Sequence, residues 1–246
     1  MLKAKTKNIS IVLYKPKYAG NIGSVARAAK NMGISNIIVV GKADYDREEM
    51  QQRSTHLAAY VLDQIQYFES IEEALGSFNY IVGTTARLGK ARGPFIAPRT
   101  VARDIADISQ KNKVALLFGP EDTGLANEEL RLCHAVVTIP TSLEFTSLNL
   151  SHAVMILCYE IFTASSAATT AATATPKLAL SKELEGMYGQ IKTLLADIEF
   201  SNPENPDYWM MHLRRFFSRT GLLSREVGII RGICRKLARY AQHKNT

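Results

Sequence analysis

Three short segments of the 246-residue chain combine glycine with polar or charged side chains that could do chemistry. The first, Gly20–Ala28, reads GNIGSVARA and places Arg27 among small apolar residues. A lone arginine on such a helix face needs an anionic partner or an exit to solvent. Arg27 therefore either binds an anion or extends along the surface, while Asn21 is predicted to cap the helix.

The other two segments follow predicted strands. Leu116–Leu125 reads LLFGPEDTGL, so an apolar strand stops at Gly-Pro and the chain then passes Glu121. Thr146–Ala153 reads TSLNLSHA and carries Ser147 and Asn149 ahead of an apolar helix. Ligands of parallel α/β sheets bind outside the carboxyl ends of the strands, which favours a binding site in both segments. A tight turn and a helix cap would account for the same residues.

Several common kinds of site are excluded by spacing. The chain has no Walker P-loop, no H-E-x-x-H, no G-x-S-x-G and no Cys/His set with zinc spacing. Its five histidines show no paired spacing, so no metal site is predicted. The Rossmann glycine fingerprint is also missing, which leaves a dinucleotide-dependent oxidoreductase as a distant alternative.

Short β-type runs alternate with helical ones over the first two thirds of the chain. Runs such as ISIVLY and VALLF are apolar on both faces, as expected of parallel strands covered by helices on each side. The pattern predicts an α/β domain with a mostly parallel sheet over residues 1–162. Its strands are predicted at Ile9–Tyr14, Asn36–Val40, Ile65–Phe68, Tyr80–Thr84, Val114–Phe118 and Val136–Ile139.

A change of composition follows this domain. Residues 163–175 are all Ala, Ser or Thr, and Pro176 ends the run, so residues 163–176 are predicted to form a mobile linker. Residues 177–246 are predicted to form a small α-helical domain, with helices near 181–199, 206–219 and 223–242. The last helix is expected to bury a stripe made of Ile230, Ile233, Leu237 and Tyr240.

The net charge of +7 is concentrated at the end of the chain. Residues 207–246 hold nine Lys or Arg and two acidic residues, so the rest of the chain is neutral. A second basic stretch, Thr84–Arg103, holds five basic residues and no acid. Both features favour a polyanionic partner, although a solvated surface is the alternative. The candidate residues for binding such a partner are Arg87, Lys90, Arg92, Arg215, Arg219, Arg231, Arg235 and Arg239.

The cellular compartment is predicted from what the sequence lacks. The three cysteines form no C-x-x-C, so they are expected to be buried thiols in a reducing compartment. The longest apolar stretch, Ala153–Tyr159, is far shorter than the roughly 20 residues of a membrane-spanning helix. No secretory signal is recognised, and a cytoplasmic protein without membrane association is expected.

Taken in order, the three segments resemble the motifs of the SpoU/TrmH group of SPOUT RNA 2′-O-methyltransferases. They read N-x-G-x-x-x-R-x-A, L-F-G-P-E-x-x-G-L, and I-P followed by S-L-N-L-S. The resemblance implies a trefoil knot at the C-terminal end of the sheet, S-adenosylmethionine as methyl donor and a homodimer. The later part of the chain resembles the branch that methylates the ribose of cytidine or uridine at position 32 in the tRNA anticodon loop.

The resemblance also assigns residues. It makes Arg27 the catalytic group, with Asn21, Glu121, Ser147 and Asn149 shaping the site. Arg27 must then lie near Gly119 and Ser147 when both chains of any assembly are counted. No metal is needed, because the sulfonium donor is already activated. Contacts to S-adenosylmethionine would come from Thr84, Thr85, Ala86, Gly119, Ile139, Thr146, Ser147 and Leu148.

Two alternatives stay open. One is a methyltransferase of the same group that acts on ribosomal RNA or on another tRNA site. The other is a non-catalytic RNA-binding protein that kept the fold without the reaction.

Overall fold

The computed structural model describes residues 1–55, 58–87, 95–142, 144–166, 173–200 and 207–244. The chain divides into two compact units, Met1–Pro176 and Lys177–Thr246. The strands are β1 (Leu2–Lys3), β2 (Ile9–Tyr14), β3 (Asn36–Val40), β4 (Gln66–Phe68), β5 (Tyr80–Thr84), β6 (Phe95–Ile96), β7 (Val114–Phe118), β8 (Ala135–Val137) and β9 (Ser165–Ser166). The helices are α1 (Ala19–Asn31), α2 (Arg47–Ser54), α3 (Ala59–Asp63), α4 (Ile71–Leu75), α5 (Pro98–Ile108), α6 (Asn127–Leu130), α7 (Leu150–Thr163), α8 (Ser181–Asp197), α9 (Tyr208–Thr220) and α10 (Ser224–Lys244).

Seven parallel strands form the sheet of the first unit, in the order β4-β3-β2-β7-β5-β8-β6. The predicted α/β class and the six predicted strands are confirmed, with boundaries that move by two residues at most. β8 lies between β5 and β6, although both precede it in the chain. Strand order alone does not define a knot, so the trefoil knot stays a prediction.

Both faces of the sheet are covered. Ile11 and Leu13 face a core shared with α1, α5 and α7, whereas Val12 and Leu117 face a core shared with α4 and α6. This alternation explains why the central strands are apolar at nearly every position. Because all seven strands are parallel, the segments that follow them leave the sheet at one edge.

The paired glycines of the first motif have a packing role. α1 and α2 lie so close that a Cβ on Gly23 would stand 2.0 Å from the carbonyl oxygen of Met50. Glu49 on α2 accepts a hydrogen bond from the Gly20 N–H (3.0 Å), which places a carboxylate at the positive end of α1. The predicted cap is wrong: α1 begins at Ala19, so Asn21 lies within its first turn and does not cap it.

The described ends of the predicted linker are attached to the first unit. Ser165–Ser166 form β9, which pairs with β1 in antiparallel fashion. Thr175 donates to the Asp107 carboxylate, and Asn112 donates to the Pro176 carbonyl (2.9 Å). Polar side chains from the end of α5 therefore hold residues 175–176, which composition alone did not reveal.

The second unit contains α8, α9 and α10 around its own apolar core. The buried stripe predicted for α10 is wrong at three of its four positions: Ile233, Leu237 and Tyr240 are 54%, 48% and 68% exposed, whereas Ile230 packs against the core. Val227 and Cys234 are buried instead. The smaller side chains of α10 thus face the core. Gly186 on α8 leaves space for Arg231, because a Cβ at position 186 would lie 3.4 Å from the Arg231 guanidinium.

Among the described residues, no helix combines the length and the apolar character needed to cross a bilayer.

A buried histidine makes the stability of the first unit dependent on pH. The backbone N–H of Ile81 donates to the ring Nδ1 of His134 (3.1 Å), and the backbone N–H of His134 donates to the Ile81 carbonyl (2.8 Å). Burial lowers the pKa of His134 from 6.5 to about 4, so the folded state requires the neutral ring. The unfolded chain takes up this proton as pH falls below 6.5, and the associated stability is lost between pH 6.5 and 4.

Replacing His134 with Asn should remove this component, because Asn keeps an acceptor for Ile81 and does not titrate. The free energy of unfolding is measured with urea for both proteins across this pH range. Between pH 6.5 and 4, the wild type should lose on the order of 3 kcal/mol more of this free energy than H134N. Parallel pH profiles of the two proteins would contradict this role.

Candidate active site

A cavity of about 280 Å³ opens at the C-terminal edge of the sheet. Its walls come from the segments that follow β5, β7 and β8, and from the segment that enters α7. All eight residues predicted to contact S-adenosylmethionine line it: Thr84, Thr85, Ala86, Gly119, Ile139, Thr146, Ser147 and Leu148. This part of the fold therefore brings the three sequence motifs together. The second and third motifs form walls of the cavity, and the first supplies Asn21 beside those walls.

The strand ends that carry these walls are tied together by hydrogen bonds. Thr84 Oγ1 donates to the Leu117 carbonyl (3.1 Å), which links β5 to β7. The Thr85 N–H donates to the Val137 carbonyl (3.0 Å), which links the exit of β5 to β8. The cavity floor is thus an extension of the sheet.

The loop after β7 is closed upon itself. The Gly124 N–H donates to the Pro120 carbonyl (2.8 Å), and Gly124 has φ +61°, a conformation that suits glycine. A Cβ on Gly119 would lie 2.4 Å from the main-chain carbon of Gly124. The glycines of the second motif are therefore required by the turn that forms one wall of the cavity.

Three polar side chains connect the motifs at the rim of the cavity. Asn21 Nδ2 donates to Glu121 Oε1 (2.7 Å), and Asn149 Nδ2 donates to Asn21 Oδ1 (3.2 Å). Glu121 Oε2 also accepts from the Lys17 N–H (2.8 Å). Asn149 caps α7 through the Ser151 N–H (2.9 Å), so one residue both starts this helix and joins it to α1.

Arg27 is not part of the cavity formed by a single chain. It is exposed, and it makes no hydrogen bond or ion pair with any described residue. Six positions separate it from Asn21 on α1, which is about 9 Å along the axis and a rotation of about 240°. Within one chain, Arg27 does not line the cavity that Gly119 and Ser147 line. The predicted proximity counts both chains of a dimer, so it stays a prediction.

The predicted RNA-binding residues are found in different settings. The Arg87 guanidinium donates to the Thr123 carbonyl and lines the cavity, a position that its charge alone did not indicate. Arg231 donates to Gln190 Oε1 (3.1 Å), whereas Arg219, Arg235 and Arg239 are exposed. Arg215 is half-buried on α9, and Lys90 and Arg92 lie outside the described residues.

Sequence reasoning missed other parts of the site. Phe118, Pro120 and Asp122 line the cavity, as does Ala153 one turn into α7. The first three lie inside the second motif, so membership of that motif could have identified them as cavity residues. Outside the site, in the second unit, Arg214 forms a bidentate ion pair with Glu185 (2.5 and 2.6 Å). Across the described ranges, no group of three His, Cys, Asp or Glu could hold a metal ion.

Replacing Glu121 with Gln should lower the free energy of unfolding by roughly 1–2 kcal/mol, because the amide turns one acceptor into a donor that faces Lys17 or Asn21. Urea unfolding measures this loss. Asp122→Asn is the matched control: its carboxylate is an exposed partner of Lys17 Nζ (3.4 Å), so stability should hardly change. Equal stabilities of the two variants would contradict the connecting role of Glu121.

Comparison with known proteins identifies the family. A model of the SpoU rRNA Methylase family matches residues 8–159, and a model of the tRNA methyltransferase TrmJ C-terminal domain matches residues 182–246. The tRNA (cytidine/uridine/adenosine-2′-O-)-methyltransferase TrmJ of Pseudomonas aeruginosa (strain UCBPP-PA14) is 36% identical, over 97% of this chain and 98% of its own.

Solved structures agree with the sequence matches. TrmJ from Z. mobilis ZM4 superposes with a TM-score of 0.79 at 28% identity, covering 93% of this chain and 98% of its own. An AdoMet-bound rRNA methyltransferase from Sinorhizobium meliloti superposes with a TM-score of 0.51 at 25% identity, over 65% of this chain and 57% of its own. The chain belongs to the SpoU methylase family and groups with the TrmJ proteins within it.

Proposed function

We propose that this protein transfers a methyl group from S-adenosylmethionine to a ribose 2′-hydroxyl of tRNA, at nucleotide 32 of the anticodon loop. The observation that carries the proposal is the chain of hydrogen bonds Asn149–Asn21–Glu121, which joins all three motifs beside one cavity. The TrmJ name of the nearly full-length Pseudomonas relative and the match to the TrmJ C-terminal domain support tRNA as the substrate.

The cavity has the chemistry that S-adenosylmethionine requires. Ile139 and Leu148 provide apolar surface for a purine, and the glycine-rich turn at Gly119 exposes main-chain groups. The Glu121 carboxylate lines the same cavity and favours a positively charged sulfonium. When bound, this group supplies an activated methyl, so the protein needs to bind and orient the two reactants.

Arg27 is assigned to the RNA side of the reaction. A guanidinium stays protonated in proteins, so it does not act as the base that accepts the proton of the hydroxyl. Its planar fork suits a phosphate oxygen pair, and its charge stabilises the oxyanion that develops on the ribose. Arg27 therefore contributes position and electrostatic stabilisation.

The active site is proposed to form across a homodimer. Arg27 is exposed on α1 and does not line the cavity of its own chain, and in a dimer the second chain would bring it there. α1 packs beside α7, where Tyr159 and Phe162 are each 54% exposed and available for burial. The free thiols Cys133, Cys158 and Cys234 support placing this dimer in the cytoplasm.

The reaction itself is tested by incubating the protein with tRNA and labelled S-adenosylmethionine, then locating the modified nucleotide by mass spectrometry. The expected product carries the label on the 2′-oxygen of nucleotide 32, and R27A, the matched control, should bind the donor yet form little product. Label at another tRNA site or on ribosomal RNA alone would overturn the assignment of nucleotide 32. Failure of the wild type to bind the donor would favour the non-catalytic alternative.

The shared site is tested with a mixed dimer of R27A and G119A chains that carry different affinity tags. One of its two sites would combine an intact cavity with an intact Arg27, so about half of the wild-type activity is expected. If Arg27 served its own chain, this mixed dimer would be as inactive as either parent. Failure to recover any mixed dimer by tandem purification would contradict the homodimer.

A further inference from the structure

Three lysines follow β2 and β3, and each ammonium lies over a tyrosine ring. We name this group the lysine–tyrosine surface. Its pairs are Lys15 and Tyr14 (Nζ to ring centroid 5.0 Å), Lys17 and Tyr18 (5.6 Å), and Lys42 and Tyr45 (4.6 Å). The three lysines are exposed, and Tyr18 is 52% exposed. The proposed reaction and the sequence motifs use none of these side chains.

The two loops that carry this surface are fastened to each other. The Lys15 N–H donates to the Val40 carbonyl (2.8 Å), which joins the exit of β2 to the end of β3. The Tyr45 hydroxyl donates to the Pro16 carbonyl (2.5 Å) across the same loops. A surface held in this way loses little conformational entropy when a ligand binds.

The lysine–tyrosine surface reaches the rim of the cavity. Lys17 donates its N–H to Glu121 (2.8 Å), and its ammonium lies 3.4 Å from the carboxylate of Asp122. Both acidic residues line the cavity. A nucleotide whose ribose enters the cavity therefore brings its neighbours within reach of these loops.

The chemistry of the surface fits an unpaired RNA strand. Ammonium groups attract phosphates, and an exposed tyrosine ring can stack on a base whose face is free. In a duplex those faces are covered, so stacking selects single-stranded loops. Asp122 partly neutralises Lys17, which leaves Lys15 and Lys42 as the main phosphate contacts.

We propose that the lysine–tyrosine surface binds the single-stranded nucleotides that flank the methylated one. This inference rests on the proposed RNA methylation, yet it makes a separate prediction about binding.

The lysines are tested with K15Q/K42Q, in a titration with unfractionated tRNA at several salt concentrations. Loss of two phosphate contacts should weaken binding about tenfold at low salt and reduce the slope of log Kd against log salt by roughly 1.4. The matched control is K7Q/K113Q, because both exposed lysines precede strands β2 and β7 at the opposite edge of the sheet. The proposal is wrong if both double variants bind tRNA alike.

The ring is tested with Y18A and Y18F. Y18A should weaken tRNA binding about tenfold, and Y18F should restore it, because stacking needs the ring and not the hydroxyl. Binding of S-adenosylmethionine should stay unchanged in every variant. Equal tRNA affinities of Y18A and the wild type would overturn the stacking role. The tRNA affinity is measured without turnover, so it does not depend on the proposed reaction. A wild type that binds tRNA but forms no product would refute the reaction, and the comparison of Y18A with the wild type would still test the stacking role.

Discussion

The hydrogen bonds from Asn149 to Asn21 and from Asn21 to Glu121 are the constraint on which the site depends. They join positions that lie 128 and 100 residues apart, so three loops of separate origin become one rim. An asparagine amide suits the middle position because it donates through one atom and accepts through another. Each bond closes a long loop, and its net gain is about 1 kcal/mol, which is far below the entropy of ordering the loops alone. The parallel sheet supplies the remainder: buried β2 and β7, paired from Ile9 with Val114 to Leu13 with Phe118, place the segments of Asn21 and Glu121 at the same edge.

The sheet and the motifs therefore have distinct physical tasks. The apolar strands position the chain ends, and the glycines then let main chain approach main chain where a side chain would collide. Gly23 packs against the Met50 carbonyl and so fixes α1, while Gly119 packs against Gly124 and so shapes the wall of the cavity. In this family motif, a glycine next to a functional residue is explained by packing as much as by ligand approach. The sequence alone does not separate these two roles, because close packing and ligand approach both require glycine.

The fold was largely predictable because its signals are local. Runs such as ISIVLY and VALLF are apolar on both faces, and this property alone indicates a covered parallel strand. α2 was missed because it buries Met50 and Ser54 alone and shows no apolar periodicity, although Asp46 caps it. The orientation of α10 was wrong for a related reason: the largest apolar residues suggested a buried stripe, but Val227 and Cys234 face the core. The eight cavity residues were found through a family resemblance, since side chains such as Thr84 and Ile139 have no chemical signature of their own. The rotation of Arg27 away from Asn21 follows from helix geometry, but the proposal that a second chain brings Arg27 to the cavity depends on where the cavity lies.

The two halves of the proposed reaction are built by different physical means. The methyl-donor half is enclosed within one chain, where main-chain contacts and short polar bonds create a defined cavity before any ligand arrives. The RNA half is left open: Arg27, Lys15 and Lys42 are exposed, as are Arg235 and Arg239 of the second unit. A small, invariant ligand rewards such preorganisation, whereas a folded polyanion must be approached over a wide surface and is attracted at a distance by charge. A tighter RNA site would require these basic side chains to be buried. Their burial would cost desolvation free energy, which phosphate contacts would first have to offset. Keeping them exposed, and bringing Arg27 to the cavity through a second chain, would let the RNA side form when the dimer and the substrate are both present.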